Sequence, residues 1–534
     1  NDPVVDVNGV VTIGSGDTLV GSASAAFTVG GNWANSGTYT PSTGGTVTFD
    51  ATSGTKTINN NASSFYNLTL NGSGGTFQAT TNTLTVTNDL TVTAGTLTTS
   101  SQNVTVGGNV SGAGTINLAS GTFEQAVAGA SRTFGTDAAL GSFTERAVTT
   151  PGTNDYPENI IYDPVNSKYI IVGGKYGSNY DLYVWESTNL TSWTQRTVAT
   201  GTGDQYAYDI FYDAVNGKYV LAGYDSASGT ADAYVWESTN LTSWTSHAVA
   251  TGAGTQHVYK VFYNSMNGKY VLVGDDSASG TYDAYVWEST DLSTWTPHAV
   301  DTDTGSQSPY DMIYDAVNGK YVVAGADNAS GTYDAYVWES TDLSTWTPHS
   351  VATGAGIQFS YNIIYDAVNS KYVIAGDDNA SGTYDAYVWE STDLSTWTPH
   401  AIVTGAGNQS AYPGFIKDPV NARYVVLVDD AAGGANDVYV YTSTNLTSWT
   451  SNAAASGADY QYSYGDVIYD PVNAKYIATA YDSGSGTDDI YAYEVSLAGD
   501  STWTFNNLKF SNTTGSDQTV TVAGKTMTAN GTLT

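Results

Sequence analysis

The sequence predicts an all-β protein. It reads as a seven-bladed β-propeller of four-stranded blades, the last blade completed by an N-terminal strand, flanked by β-solenoid or β-sandwich-like segments. Three observations carry this. The stretch YVWESTDLSTWTPH stands at Tyr285 and again, unchanged, at Tyr336 and Tyr387. Trp193, Trp244, Trp295, Trp346, Trp397 and Trp449 follow one another at intervals of 51, 51, 51, 51 and 52 residues. A turn of the form YDAVNGKY recurs seven times, beginning at Tyr162, Tyr212, Tyr263, Tyr314, Tyr365, Lys417 and Tyr469. A repeat of roughly 40–50 residues holding several short strands is the signature of a propeller.

One unit divides into four strands. DIFYD is the first, and the Asn-Gly or Asn-Ser turn after it is a strong hairpin signal. KYVLAGY is the second; the loop DSASGTAD leads to AYVWEST, the third; the turn TNLTS leads to WTSHAVAT, the fourth. Aromatic and β-branched residues alternate with small or polar ones, as sheets packed face to face require. Seven turns against six tryptophans leave one fourth strand unaccounted for. FTERAVTT, from Phe143 to Thr150, has the form of WTQRTVAT and precedes the first unit, while the last unit ends in its third strand, IYAYEVS. The N-terminal strand is therefore expected to pair there and close the ring without an open edge.

Residues 1–141 are rich in Thr, Gly, Asn and Ser with short alternating strands, the pattern of a β-solenoid whose coils bury their inward residues against one another. SSFYNLTLNG, from Ser63, matches WTFNNLKFSN, from Trp503, so that Phe65 aligns with Phe505, Asn67 with Asn507 and Leu68 with Leu508. Three regions follow: a solenoid-like domain at 1–141, the propeller at 142–498, and a return to the solenoid-like domain at 499–534. The propeller reads as an insertion, which neighbouring termini make easy.

Composition excludes several roles. The chain carries 16 basic and 51 acidic residues, a net charge of −35. Such a surface repels nucleic acid and anionic membranes. No apolar run reaches the roughly 18 residues of a spanning helix. Cysteine is absent, which removes disulfides and thiolate metal sites. The chain begins at Asn1 rather than Met and reads as a processed or trimmed product. Composition and strand content together suit an extracellular or cell-surface protein.

KYIIVGGKYGSNYDLYVWESTNLTSWTQ, from Lys168, resembles a kelch repeat in its Gly-Gly after a strand, its Tyr-bearing strand and its spaced Trp. STDLSTWT resembles the Asp-box of sialidase-like propellers. The resemblance covers 142–498 and implies a propeller. Later units lose the Gly-Gly, and the Asp-box glycine is replaced by Leu or Ser. The N-terminal coils resemble repeats of large bacterial surface proteins, including the filamentous-haemagglutinin type.

Four sets of recurring polar residues bear on the chemistry. Asp291, Asp342 and Asp393, with Asn189, Asn240 and Asn445 in the other units, sit where an Asx side chain caps its own turn. His247, His298, His349 and His400 keep the repeat period on outer strands and so cannot converge on one metal ion. The acidic loops between second and third strands present Asp275, Asp276, Asp377, Asp378, Asp429 and Asp430, either solvated or as oxygen ligands for a structural calcium ion; no other cofactor is implied. The loops into each first strand carry Gln205 and Tyr208, Gln256 and Tyr259, Gln307 and Tyr310, Gln358 and Tyr361, Gln409 and Tyr412, Gln461 and Tyr464. They suit recognition of a glycan or a surface protein at the channel mouth, or else satisfaction of loop backbone groups by Gln. Sequons at Asn67, Asn189, Asn240, Asn328, Asn379 and Asn512 are candidate glycosylation sites.

A propeller enzyme needs different residues from different blades at one point. The middle units are nearly identical, and Arg146, Arg196 and Arg423 fall where they cannot form an arginine triad. The sequence alone therefore favours a non-catalytic extracellular surface or filament protein, self-associating through solenoid ends and displaying a propeller. A monomeric adhesin or glycan-binding module is the alternative, and a secreted glycan-active hydrolase a more distant one.

Overall fold

The computed structural model describes residues 5–23, 27–112, 114–127, 132–135, 140–149, 154–354, 356–412, 414–418, 423–456, 460–484, 486–496, 503–512, 520–523 and 527–529. Strands make up all the regular structure among them. The chain forms two compact units, one of Ser142–Asp418 with Arg423–Ser496 and one of Asn1–Gly141 with Leu497–Thr534.

The first of these is a seven-bladed propeller. Blade 3 is typical, with strands Gln256–Asn264, Lys269–Asp276, Asp283–Ser289 and Thr296–Asp301 in antiparallel order. Blade 7 takes its fourth strand from the other end of the chain: Thr144–Ala147 runs antiparallel to Asp489–Ser496, with Thr144 opposite Glu494 and Ala147 opposite Tyr491. The expected closure is present.

Four of the eight letters of the recurring turn have a physical explanation. In blade 2, Asp213 accepts from the backbone N–H groups of Val215 and Asn216 and from the Asn216 amide, capping the turn. The Lys218 ammonium bonds Glu237 of the third strand at 2.5 Å. The Tyr219 hydroxyl reaches back to Asp163 of blade 1, 2.5 Å away. The same strap recurs from Tyr270 to Asp213 and from Tyr372 to Asp315, and from Tyr169 to Asp470 it crosses the closing seam. The periodic histidines complete this framework: His247, His349 and His400 lie within 3.1 Å of Glu237, Glu339 and Glu390 of their own blades. Apolar faces fill the space between blades, as where Ile170, Val172 and Val184 of blade 1 meet Ala207, Ile210 and Leu221 of blade 2.

Asp291, Asp342 and Asp393 cap their turns as expected; Asp291 accepts from the N–H groups of Ser293 and Thr294 at 2.9 Å. Those backbone bonds hold its pKa down to about 2. The next residue is a leucine with φ between 63° and 66° at all six turns. Its side chain is buried, so packing outweighs the left-handed backbone cost of roughly 1–2 kcal/mol.

The second unit is a stack of parallel coils. Val5–Val7 pairs with Phe27–Val29, then Thr46–Phe49, Asn67–Ala79 and Leu90–Thr99 in turn. Alternate residues point inward, so Val29, Phe49, Leu70 and Val92 share one core with Trp33 and Phe65. After the propeller the chain returns to this stack: Asn507–Asn512 pairs in parallel with Thr122–Val127, and Phe505 lies 5.2 Å from Phe123.

Candidate functional site

The site begins with a defect in each first strand. In blades 1 to 5 that strand carries a bulge, in blade 3 between Val258 and Lys260. A bulge bends its strand and re-aims side chains. It needs the facing residue to be glycine, because a Cβ on Gly274 would stand 1.9 Å from the His257 carbonyl oxygen and one on Gly376 1.9 Å from that of Phe359. The extruded residue is Glu158 in blade 1 and Tyr208, Tyr259, Tyr310 and Tyr361 in blades 2 to 5. With Tyr412 and Tyr464 these tyrosines form an arc around the channel. Neighbouring ring centroids lie 4.9, 6.3, 5.2, 4.8 and 6.4 Å apart.

The structure therefore separates residues that the sequence presented as pairs. Gln205, Gln256, Gln307, Gln358, Gln409 and Gln461 open the first strands rather than lying in loops. All are buried, and each donates to an aspartate of its own blade; the Gln256 amide meets Asp276 at 3.0 Å and that of Gln358 meets Asp378 at 3.1 Å. The glutamines hold the framework while the tyrosines line the channel. The acidic doublets, also expected in loops, end the second strands and divide in the same way. Asp276, Asp378 and Asp430 take the Gln amide and cap the following turn. Asp275, Asp377 and Asp429 turn toward the channel mouth. Among the described residues no group of three His, Asp or Glu side chains is arranged to hold a metal ion.

Asp275 marks a cluster found only in blade 3. One carboxylate oxygen lies 3.0 Å from Nδ1 of His257, and the other accepts from the Tyr259 hydroxyl at 2.6 Å. Nδ1–H pointing at Asp275 leaves Nε2 as the basic nitrogen. Burial, followed by the Asp275 charge, pushes the Tyr259 phenol well above its ordinary range, so it remains a proton donor. Sequence reasoning passed over His257, although a signal was there: four of the five histidines keep the period and His257 alone is off it.

Blades 6 and 7 depart from the others. Val428 and Ala480 replace the bulge glycine, each two residues before the Gln-binding aspartate. The first strand breaks in both, into Gln409–Ser410 and Phe415–Asp418 and into Gln461–Tyr462 and Val467–Asp470. Beside these breaks opens a cavity of about 290 Å³, walled by Phe359, Tyr361, Tyr384, Tyr412, Tyr462 and Tyr464 with Asp377 and Asp429 between them. Burial raises both carboxyls to about 7, against hydrogen bonds from Ser410 and Ala411 to one and from Ser463 to the other. Deeper in the channel, Lys260 bonds Asp209 at 3.2 Å. Desolvation works against its ammonium, but Asp209, Asp311 and Asp466 outweigh that and raise its pKa. Glu158, lining the same passage, is raised by burial to about 8 against a hydrogen bond from Tyr206.

No protein-family model matches the sequence, and no curated protein matches it. Solved structures do resemble it. An ulvan lyase, described as a new family of polysaccharide lyase, aligns over 66% of this chain and 95% of its own at 14% identity with a TM-score of 0.50. The polysaccharide lyase Uly1 aligns over 66% and 91% at 10% identity and 0.44. The propeller domain of the Trilobed protease from Pyrococcus furiosus aligns over 67% and 95% at 10% identity and 0.39. At these identities the likeness is one of fold.

The expectation of a non-catalytic surface or filament protein, and of a chain that is no enzyme, is corrected here. It rested on near-identical blades, yet the ulvan lyase that shares this fold shows that such an architecture can house an enzyme. The channel mouth is also where the blades differ: His257 stands in the place of Tyr206, Ser308, Phe359 and Ser410. The arginines are indeed dispersed, Arg146 on Glu494 and Arg196 on Glu186.

Proposed function

We propose that the propeller cleaves a polysaccharide at its channel mouth by acid–base chemistry, with His257 as base and Tyr259 as acid. The observation that carries this is the Asp275-centred pair, one group with a basic nitrogen and one held protonated, whose Tyr259 lines the channel together with Tyr361, Tyr412 and Tyr464 of the aromatic cavity wall. Sugar rings present apolar faces to such walls, and their hydroxyls meet the carboxyls between them.

The chemistry that fits the pair is β-elimination from a uronate residue. Nε2 of His257 takes the C5 proton, the electrons form the C4–C5 double bond, the C4–O bond breaks, and the Tyr259 hydroxyl protonates the departing oxygen. Asp275 orients the imidazole and stabilises its cation. Glu158, protonated at neutral pH, and Lys260 are the channel groups suited to face the substrate carboxylate. A second reading, hydrolysis by Asp377 and Asp429, draws on their pKa values near neutrality and shared cavity. An extracellular or cell-surface location accords with a polysaccharide substrate, and the Asp-box-like turns serve as framework.

Incubation with ulvan, polygalacturonate and arabinan separates these. Elimination yields ultraviolet-absorbing unsaturated ends, and hydrolysis yields reducing ends without them. His257→Ala should lower kcat by about 10²–10⁴-fold while the melting temperature holds. Unchanged turnover in that variant would remove His257 from the reaction.

A further inference from the structure

From the cavity wall, tyrosines of blades 1 and 7 continue in unbroken contact to the surface. Tyr464, on the cavity wall, stacks on Tyr481 at 5.6 Å. From Tyr481 one branch runs to Tyr462 at 5.2 Å and on to Tyr460 at 6.2 Å, the last two planes within 9° of parallel. The other runs to Tyr156 at 5.2 Å, Tyr180 at 6.1 Å and Tyr176 at 4.9 Å. Its ends are open to solvent: Tyr176 is 47% exposed and Tyr460 49%.

Folding does not call for the two exposed end rings. Blades 2 to 5 place Ser226, Ser277, Asn328 and Asn379 where blade 1 has Tyr176, and Asp204, Thr255, Ser306 and Ile357 where blade 7 has Tyr460. Those blades form their four-stranded sheets without either ring. Exposed rings that the repeat does not need, joined by an aromatic run to a cavity, mark a ligand surface. Its polar partners fix the ligand's chemistry. Tyr156 donates to Asp488 at 2.5 Å, and Asp204 accepts from the Tyr180 N–H, so the arc offers ring faces flanked by carboxylate acceptors.

We propose that this arc is a docking track for an extended chain of pyranose residues. Successive rings stack on the tyrosines, and their hydroxyls donate to Asp488 and Asp204. The inference rests on the glycan-cleaving reading and adds to it that the enzyme grips a long chain and cuts within it.

The test uses the full chain and affinity electrophoresis in gels containing ulvan, polygalacturonate or xylan. The Tyr176→Ala/Tyr460→Ala double variant should weaken retardation in the binding polymer roughly tenfold, the equivalent of a lost aromatic contact, while His257→Ala is retarded like wild type. The double variant should also lose turnover on the polymer and keep it on a short oligosaccharide. Unaltered retardation of the double variant, or no retardation of wild type by any of the three, overturns the track. Loss of self-association with unaltered retardation assigns the arc to a protein contact and overturns it equally. Retardation without cleavage in wild type would instead sink the enzymatic reading and leave the track standing.

Discussion

Blades 5 and 6 are neighbours with the same four-stranded plan, and among their differences are one glycine and one residue of length. Gly376 lets the first strand of blade 5 bulge against the second; blade 6 has Val428 there, and its first strand breaks. From Gln358 to Asp378 is 20 residues, and from Gln409 to Asp430 it is 21. Ala480 at the equivalent position accompanies the same break in blade 7. The cavity lies along these interruptions. The difference teaches that this molecule makes its cavity by interrupting its repeat, and that the interruption is a matter of backbone approach before it is one of side-chain chemistry.

The comparison can be broken directly. Gly376→Val gives blade 5 the residue of blade 6 without its extra length, and a branched side chain cannot fit 1.9 Å from the Phe359 carbonyl at Cβ. We expect a loss of more than about 3 kcal/mol, above the usual cost of overpacking, read by denaturant unfolding. Inserting one residue after Tyr361 in the same variant should recover much of it. No recovery would mean that the glycine matters for something other than the bulge.

A second blade-to-blade difference is the acceptor of the tyrosine strap. Tyr270 donates to the carboxylate of Asp213, but Tyr321 meets the neutral amides of Asn264 and Asn267. Tyr270→Phe should cost about 1.5–3 kcal/mol and Tyr321→Phe about 0.5–1.5, since hydrogen bonds to charged groups contribute more. Equal losses would place the strap's strength in packing rather than in charge.

The inner and outer carboxylates respond oppositely to pH. At Glu237, Glu339 and Glu390 burial opposes ionisation, but bonds from lysine and histidine outweigh it and lower the pKa. Their stabilisation is present at neutral pH and is lost as pH falls through the folded value. Glu158 lies on the other side, raised by burial to about 8. Folded protein there keeps a proton that the unfolded chain releases near the ordinary glutamate value. Stability therefore falls as pH rises from that value to about 8, by up to about 1.4 kcal/mol per pH unit for one such group. Glu158→Gln should flatten that part of the profile by one proton. An unchanged slope would locate the proton elsewhere, Asp377, Asp429 and Asp466 being the next groups to replace.

Much of this architecture was legible because it is periodic. Trp and turn spacing gave seven units, and FTERAVTT identified its own blade. Capping by Asx was readable because it is local to each turn. What escaped was aperiodic. His257 was overlooked beside four periodic histidines, and the mouth residues were set aside because their blades looked alike, when the likeness resides in the second to fourth strands. Gln205 and Tyr208 read as one loop motif because a bulge leaves no spacing signal; only the facing Gly223 hints at it. The leucines in left-handed turns were legible as departures from an Asp-box, but the burial that supports them was not.

Blade 7 offers one more comparison, because its fourth strand is preceded by Phe143 where the other blades have tryptophan. In blade 3 the Trp295 indole N–H donates to the Leu292 carbonyl at 2.9 Å, tying the fourth strand to the left-handed turn before it. Phenylalanine keeps most of the ring's contact and removes the donor. Trp295→Phe should thus cost about 0.5–1.5 kcal/mol, the net value of one neutral hydrogen bond, and the reverse change, Phe143→Trp, should return no more than that to blade 7. A loss several times larger would mean that the indole carries interblade packing, since Trp295 also lies against the cluster of Val258, Leu272 and Leu292. In that event blade 7, lacking the indole, should be the first to exchange its backbone amides, and hydrogen exchange across Thr144–Ala147 would register it.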